Sequence, residues 1–208
     1  MNLPSWIQID WIKNYGEKKT RKFAKLFSEK PPLDINIKKK KINDRNWGEH
    51  LDGEKFFKQI IRLNKNGLVT DFPFFQEGDW WVQSASASIP VEIINKFFEK
   101  KEKEKVEILE VGSAPGGKTF QLCDYNYNVT AIDISKKRII KFEENLKRLN
   151  FSPKIINLDI LNFNTHEKFD CILIDSPCSA SGIASRNPDI LLRKKDHLLK
   201  DLLDKQMK

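Results

Sequence analysis

Three groups of residues in this sequence have types and spacings that could do chemistry. The first is LEVGSAPGGKTF at residues 109–120, where an apolar run ends at Glu110 and opens into a turn containing Gly112, Gly116 and Gly117 before a plausible helix start. Strand, glycine turn and helix together set backbone N–H groups and a helix N-terminus against a nucleotide-like ligand. Glycines there let the chain bend sharply or the ligand approach closely. The second is Asp133, which closes the short apolar run VTAID about 20 residues further on, where dinucleotide-type folds place a carboxylate for ribose hydroxyls. The third is Asp175-Ser176-Pro177-Cys178. A thiol on a proline-stiffened turn, beside a cofactor carrying an electrophilic methyl group, suits C5 methylation of a pyrimidine. The thiolate adds to C6, and the resulting enamine attacks the methyl of a sulfonium. The plainer role for a lone cysteine is that of a small buried hydrophobe.

The glycine turn also fits a second pattern. Gly112, four residues, then Gly117-Lys118-Thr119 matches the phosphate-binding loop G-x-x-x-x-G-K-[ST], and residues 171–175 could pass for its acidic metal-binding strand. Pro115 counts against it, because proline has no N–H to give to a phosphate cradle. Asp133 counts against it as well, since a nucleotide hydrolase has no use for a ribose-side carboxylate there. The adenosyl-cofactor site is favoured, with the phosphate loop as the alternative.

Composition narrows the class. At 208 residues the chain can bury a real core. Its net charge of +8 is uneven: residues 1–105 hold 21 Lys+Arg against 15 Asp+Glu, residues 106–208 hold 16 against 14. Excess positive charge on the half without the glycine turn suits a polyanionic partner, or simply a solvated lysine-rich surface. Cys123, Cys171 and Cys178 form no C-x-x-C pair, and His50, His166 and His197 fall in separate segments, so neither a disulfide framework nor a metal site is expected. No signal peptide and no run of 18 apolar residues is visible, so the expectation is a soluble cytoplasmic protein without a membrane span.

The elements that must position these residues follow from periodicity. Ile7, Trp11, Ile12 and Tyr15, then Phe23, Leu26 and Phe27, predict one or two amphipathic helices broken at Gly16, capped by Ser5 and stopped by Pro31-Pro32. Leu33, Ile35 and Ile37 alternate as a half-buried strand that runs into four lysines at 38–41, either solvated or in contact with phosphate. Residues 42–82 read as a small mixed α+β region, and a helix starts near Pro90. From residue 106 strands and helices alternate, with Glu110, Asp133, Asp159 and Asp175 following strand ends, which implies a parallel doubly wound sheet with ligands along that edge. One helix carries Ile139, Phe142, Leu146 and Leu149, and an amphipathic helix with Ile190, Leu191, Leu198 and Leu202 spans residues 189–208. Within the strand at 169–174, residues 171–174 are apolar on both faces, yet no later segment reads as a strand to cover it. The sheet is therefore expected to be unfinished and the chain a truncated or partial product.

With these stretches taken together, the sequence resembles the Sun/Fmu-type RNA (cytosine-C5) methyltransferases, especially the bacterial enzymes acting on small-subunit ribosomal RNA. The likeness covers nearly the whole chain: LPSW at 3–6, PPLDINI at 31–37, EGDWWVQSASAS at 77–88, LEVGSAPGGKT at 109–119, AIDISKKRI at 131–139 with ENLKRL at 144–149, and FDCILIDSPCSASG at 169–182 with RNPDI at 186–190. The resemblance implies an S-adenosylmethionine site lined by Glu110, Gly112, Ser113, Ala114, Pro115, Gly116, Gly117, Lys118 and Asp133. Arg138 would lie near the ribose-side acid, Asp159 would face the adenine, and Asp175 would stand between cofactor and target base. Cys178, Asp175 and Lys118 make up the catalytic set, with Cys178 assisting release of the methylated product. The family's nucleophile lies in a later Thr-Cys-Ser motif, which these 208 residues do not contain. Other departures are Glu110 for the usual Asp, Gly112-Ser113 for Cys-Ala, Ser84 for Asp and Ala180 for Gly.

The implied fold is α/β, a Rossmann-like S-adenosylmethionine-dependent methyltransferase sheet, incomplete at the C-terminus and preceded by a small α+β region. Residues 1–85 are expected to recognise RNA, 86–105 to form a connecting helix and charged hinge, and 106–208 to be a partial methyltransferase domain. The expected partner is ribosomal RNA, with no metal, and the chain is taken as a monomer. The alternatives are a P-loop nucleotide hydrolase and a non-catalytic RNA-binding remnant.

Overall fold

A computed structural model of the chain describes residues 3–65, 67–193 and 196–207; the side chains of 192–199, His197 and Leu198 among them, lie outside that set. Residues up to Pro31 together with those from Ser176 onward form one compact unit, and Pro32–Asp175 form the other.

The periodic apolar residues at the start fold into α1 (Ser5–Tyr15) and α2 (Glu17–Leu26), separated by Gly16 at φ 77°. Ser5 is the first helical residue rather than the cap: Pro4 precedes it and makes no side-chain cap bond. The two helices meet through aromatic edges, with Trp11 and Phe23 centroids 5.7 Å apart at 87°.

Next comes an antiparallel sheet of β1 (Leu33–Ile37), β2 (Gly53–Phe57), β3 (Ile60–Leu63) and β4 (Trp80–Val82), ordered β2-β3-β1-β4, with α3 (Trp47–Leu51) beside it. β1 is central, so the expected half-buried alternation gives way to burial of Asp34 and Asn36 along with Ile35 and Ile37. Both polar residues are held: Asp34 accepts 2.7 and 2.9 Å bonds from Arg62, and Asn36 Nδ2 donates to Gln83 Oε1 at 2.9 Å. The lysine run at 38–41 is not uniformly solvated. Lys38 is buried, and its Nζ donates to Leu149 O.

The larger layer is built from α4 (Ala85–Phe97), β5 (Glu107–Val111), α5 (Gly117–Asp124), β6 (Asn128–Asp133), α6 (Lys136–Leu149), β7 (Lys154–Asn157) and β8 (Cys171–Ile174). α4 starts five residues before Pro90, because Ser84 Oγ caps it by accepting from Ala87 N at 3.4 Å. The strands are all parallel, in the order β7-β6-β5-β8. Between β7 and β8 there is no α-helix, only a short 3-10 turn at Ile160–Asn162. The core joins Val91, Ile94 and Phe98 to Ile108, Val129, Ala131, Leu122, Phe142, Leu146 and Leu149. Trp81 belongs to this core although it sits on β4, so the antiparallel sheet is fastened directly onto the parallel layer.

β8 is an edge strand with Ile172 and Ile174 57% and 64% exposed. Further along the chain the described residues form α7 (Asp189–Arg193) and α8 (Asp196–Gln206), and Ala184 and Leu191 share a small core with Leu3 and Ile7. No described helix is long and apolar enough to cross a membrane.

Candidate active site

The glycine turn lies where the parallel strands end. Gly112 leaves β5 at φ 77°, and a Cβ there would sit 2.4 Å from Asp175 O, so only glycine lets β8 end this close. Gly116 takes φ 108°, with ring atoms of Phe120 and Phe142 2.4 Å from where its Cβ would be. The Ala114–Pro115 peptide is cis.

The amides of the turn decide between the two ligand classes. Gly112 N and Ser113 N donate to Ile132 O at 2.8 and 3.1 Å, Ala114 N donates to Asp133 Oδ2 at 3.0 Å, and Gly116 N donates to Ser113 O at 2.8 Å. Pro115 has none to give. A phosphate cradle needs these N–H groups aimed at the anion, and here they are turned into β6 and the turn itself. Thr119 Oγ1, the hydroxyl a phosphate loop would offer to a metal, donates instead to Glu110 Oε2. The amides of Gly112, Ser113, Ala114 and Gly116 are therefore not offered to an anion. What the turn leaves open is of another kind. Ser113 Oγ is buried with no hydrogen-bond partner, and α5 starts at Gly117 with no side-chain cap. These features, with two positions lacking a Cβ, fit a ligand that lies against the backbone and offers a hydrogen-bonding group to Ser113.

The acids at the strand ends have separate environments. Asp133 is buried: Oδ2 accepts from Ala114 N, Oδ1 accepts from Ser135 N at 2.8 Å, and Arg138 Nη2 bonds both oxygens at 2.9 Å. It clamps the glycine turn to the first turn of α6, with the half-exposed Arg138 between the carboxylate and solvent. Asp175, 55% exposed, accepts a 2.7 Å bond from Lys118 Nζ, which joins the end of β8 to the first turn of α5. Asp159 caps the 3-10 turn after β7 by accepting from Leu161 N at 3.1 Å. Glu110 corrects the expectation from the strand-end pattern. It is 1% exposed under α5, bonded to Thr119, and its carboxyl faces the interior instead of the open edge. Burial there pushes its pKa up to about 8, so it is largely uncharged at neutral pH.

Cys178 belongs to the other compact unit, three residues beyond Asp175 in the chain. It is exposed, and its Sγ accepts from Ala180 N at 3.4 Å.

A family model described as 16S rRNA methyltransferase RsmB/F matches residues 96–208. The chain belongs to this family. Among curated RsmB/F relatives, ribosomal RNA small subunit methyltransferase B of Shigella flexneri is 29% identical over 215 residues, covering 98% of this chain and 48% of that protein. The chain spans about half the length of the curated relatives it matches. The crystal structure of PH0851 aligns with TM-score 0.81 and 21% identity over 98% of this chain and 48% of that one. NSun6 from Pyrococcus horikoshii, solved with SFG, aligns with TM-score 0.67 and 17% identity over 85% of this chain and 71% of that one. These likenesses establish a Rossmann-like methyltransferase fold for the RsmB/F chain.

Several residues that hold the site were not singled out from sequence. Asn157 Nδ2 donates to Asp133 O at 2.8 Å and ties the end of β7 to that of β6. Gln83 accepts from Trp81 Nε1 at 2.9 Å and donates to Gln121 Oε1 at 2.8 Å, which anchors α5 against the antiparallel sheet. Single polar residues at these places carry no sequence signal; the pair forms only because a buried glutamine after β4 meets one on α5, 38 positions away.

Proposed function

We propose that this chain carries the cofactor site of an S-adenosylmethionine-dependent methyltransferase that modifies C5 of cytosine in RNA, with small-subunit ribosomal RNA as substrate. The carrying observation is the turn at 112–117, whose amides are turned inward while Ser113 Oγ stays buried and unpartnered. That arrangement suits an adenosyl ligand and not a triphosphate. RsmB/F membership and the SFG in NSun6 support the same cofactor.

In this proposal S-adenosylmethionine, when bound, supplies an electrophilic methyl group for the base. The chain's own residues do the holding. Gly112, Ser113, Ala114, Pro115, Gly116 and Gly117 form the bed, and Asp133 with Arg138 keeps it in shape. Asp159 bounds the adenine side. Lys118 orients the Asp175 carboxylate at the strand edge where a base would meet the turn. Cys178 is the thiol assigned to release of the methylated product. Residues 1–85 recognise RNA, 86–105 connect, and 106–208 carry the methyltransferase part. With three cysteines and no Thr-Cys-Ser triplet among its 208 residues, this chain by itself is expected to bind cofactor without multiple turnover.

Parallel calorimetric titrations with S-adenosylmethionine and ATP test the cofactor: heat is expected with the first and none with the second. The reverse result would return the chain to the nucleotide hydrolases. Neither ligand binding, with RNA still bound, would leave an RNA-binding remnant. Repeated tritium transfer from labelled S-adenosylmethionine into cytosine-containing RNA, abolished by Cys178→Ala, would make Cys178 the nucleophile.

A further inference from the structure

Away from the glycine turn, a concavity of about 500 Å³ opens where the segment after β1, the turn at 74–79 and the end of α6 converge. α6 ends where the chain turns back into β7, so this hollow lies toward the strand starts, the opposite edge of the parallel sheet from the glycine turn. Five cations line it, Lys38, Lys40, Lys41, Arg45 and Arg148, against two acids, Glu77 and Asp79.

Asp79 is already shared, 3.7 Å from both Lys41 Nζ and Arg45 Nη2, and Lys41 Nζ also lies 3.2 Å from Asp44 Oδ2 at the rim. The two most enclosed cations are held by neutral groups. Arg148 donates to Phe75 O at 2.7 Å, Trp80 O at 3.1 Å and Asn145 Oδ1 at 3.0 Å, and stacks over the Phe75 ring at 3.9 Å. Lys38 Nζ donates to Leu149 O and lies 4.9 Å from the Phe151 centroid. These bonds fix the cations in place without cancelling their charge, and enclosed charge of one sign is costly until a counter-charge arrives. Burial lowers the pKa of Arg148 to about 10 and also lowers that of Lys38, where repulsion from Lys40 adds to it and attraction to Asp124 and Asp79 opposes it. The Arg45 guanidinium lies over the Phe74 ring at 3.9 Å and 4.9 Å from Trp47, and a guanidinium suits two-point contact with oxygens.

We infer that this hollow is a docking site for an RNA phosphate, remote from the methyl-transfer edge. The inference rests on the proposed RNA substrate and names the part of the protein that grips its backbone. Lys40, exposed, and the half-buried Lys41 and Arg45 touch the phosphate directly. Lys38 and Arg148, fixed behind them, supply the field.

The test measures binding of the full chain to a labelled single-stranded RNA oligonucleotide over a range of salt. The set Lys40→Gln, Lys41→Gln and Arg45→Gln is compared with an equal charge reduction on the exposed face of α2, Lys18→Gln, Lys22→Gln and Lys25→Gln. Removing one cation that pairs with a phosphate should flatten the log–log salt slope by about 0.7, so the pocket set should flatten it by about 2 and the α2 set hardly at all. Because Arg45 and Lys41 also serve Asp79, Lys40→Gln alone is included; it should flatten the slope by about 0.7 with thermal stability unchanged. Equal slopes in the pocket and α2 sets would overturn the docking site and leave the proposed function standing. No RNA binding by the unsubstituted chain would sink both. S-adenosylmethionine affinity should be the same in every variant, and a drop confined to the pocket set would mean that these residues act through the fold.

Discussion

Ser113 and Glu110 sit three residues apart and make opposite demands. A buried hydroxyl without a partner costs about 1–3 kcal/mol, so Ser113→Ala should stabilise the ligand-free chain by about 1 kcal/mol in urea unfolding. If the hydroxyl awaits the cofactor, the same change should weaken S-adenosylmethionine binding by about 0.5–1.5 kcal/mol in calorimetry. Two shifts of the same sign would remove Ser113 from the site. Glu110 is governed by protonation. Its folded pKa, about 8, lies above its ordinary 4.5, so below pH 4.5 both folded and unfolded chains hold the proton and stability is undiminished. As pH rises from 4.5 to 8 the unfolded chain gives up its proton first, and stability falls by about 1.4 kcal/mol per pH unit before levelling off. Glu110→Gln keeps an acceptor for Thr119 without the charge. Its advantage over the unsubstituted chain should widen between pH 5 and pH 8 in urea unfolding; parallel curves would mean that Glu110 is ionised throughout.

The parallel strands depend on how closely β5 and β8 end together. Gly112 permits this, and Asp175 N completes the ladder by donating to Val111 O at 2.9 Å. Gly112→Ala would force a left-handed φ on alanine, costing about 1–2 kcal/mol, and would push a methyl against Asp175 O. The expected outcome is a stability loss above that figure and faster hydrogen exchange at the Asp175 amide. Unchanged exchange there would show that the turn yields instead of the strand. The helix beyond is held separately, from Gln121 Nε2 to Glu92 Oε1 at 2.8 Å and from Tyr125 OH to the same oxygen at 2.6 Å. Those bonds tie α5 to α4, while Gln83 to Gln121 at 2.8 Å and Tyr125 OH to Gln59 Oε1 at 3.2 Å tie α5 to the antiparallel side of the unit Pro32–Asp175.

For the molecule entire, the exposed edge is the main liability. β8 pairs only with β5 among the described strands and presents Ile172 and Ile174 to solvent, a template for further strand pairing. The chain expressed alone should therefore associate with itself. Ile172→Lys places a charge on that edge without touching the glycine turn, and it should lower aggregation measured by light scattering at matched concentration. Equal scattering from both proteins would place the sticky surface elsewhere.

Local pattern alone determined much of this protein. Periodicity drew the two N-terminal helices and placed Ile139, Phe142, Leu146 and Leu149 on the buried face of α6. The glycine spacing located the sharp turn between β5 and α5, because such a turn needs particular residue types at fixed offsets. Tertiary structure decided what each polar residue faces. Strand alternation puts Glu110 on the same face of β5 as Ile108, and only the packing of α5 over that face turns a strand-end acid into an interior one. Pro90 suggested a helix start, yet a serine cap six residues earlier supplied the bond that sets it. Four lysines in a row read as solvated or in contact with phosphate, but Lys38 finds its acceptor at Leu149, 111 positions away. A partner that distant leaves no trace in local sequence, since burial is fixed by which elements pack together and not by the residues next in the chain.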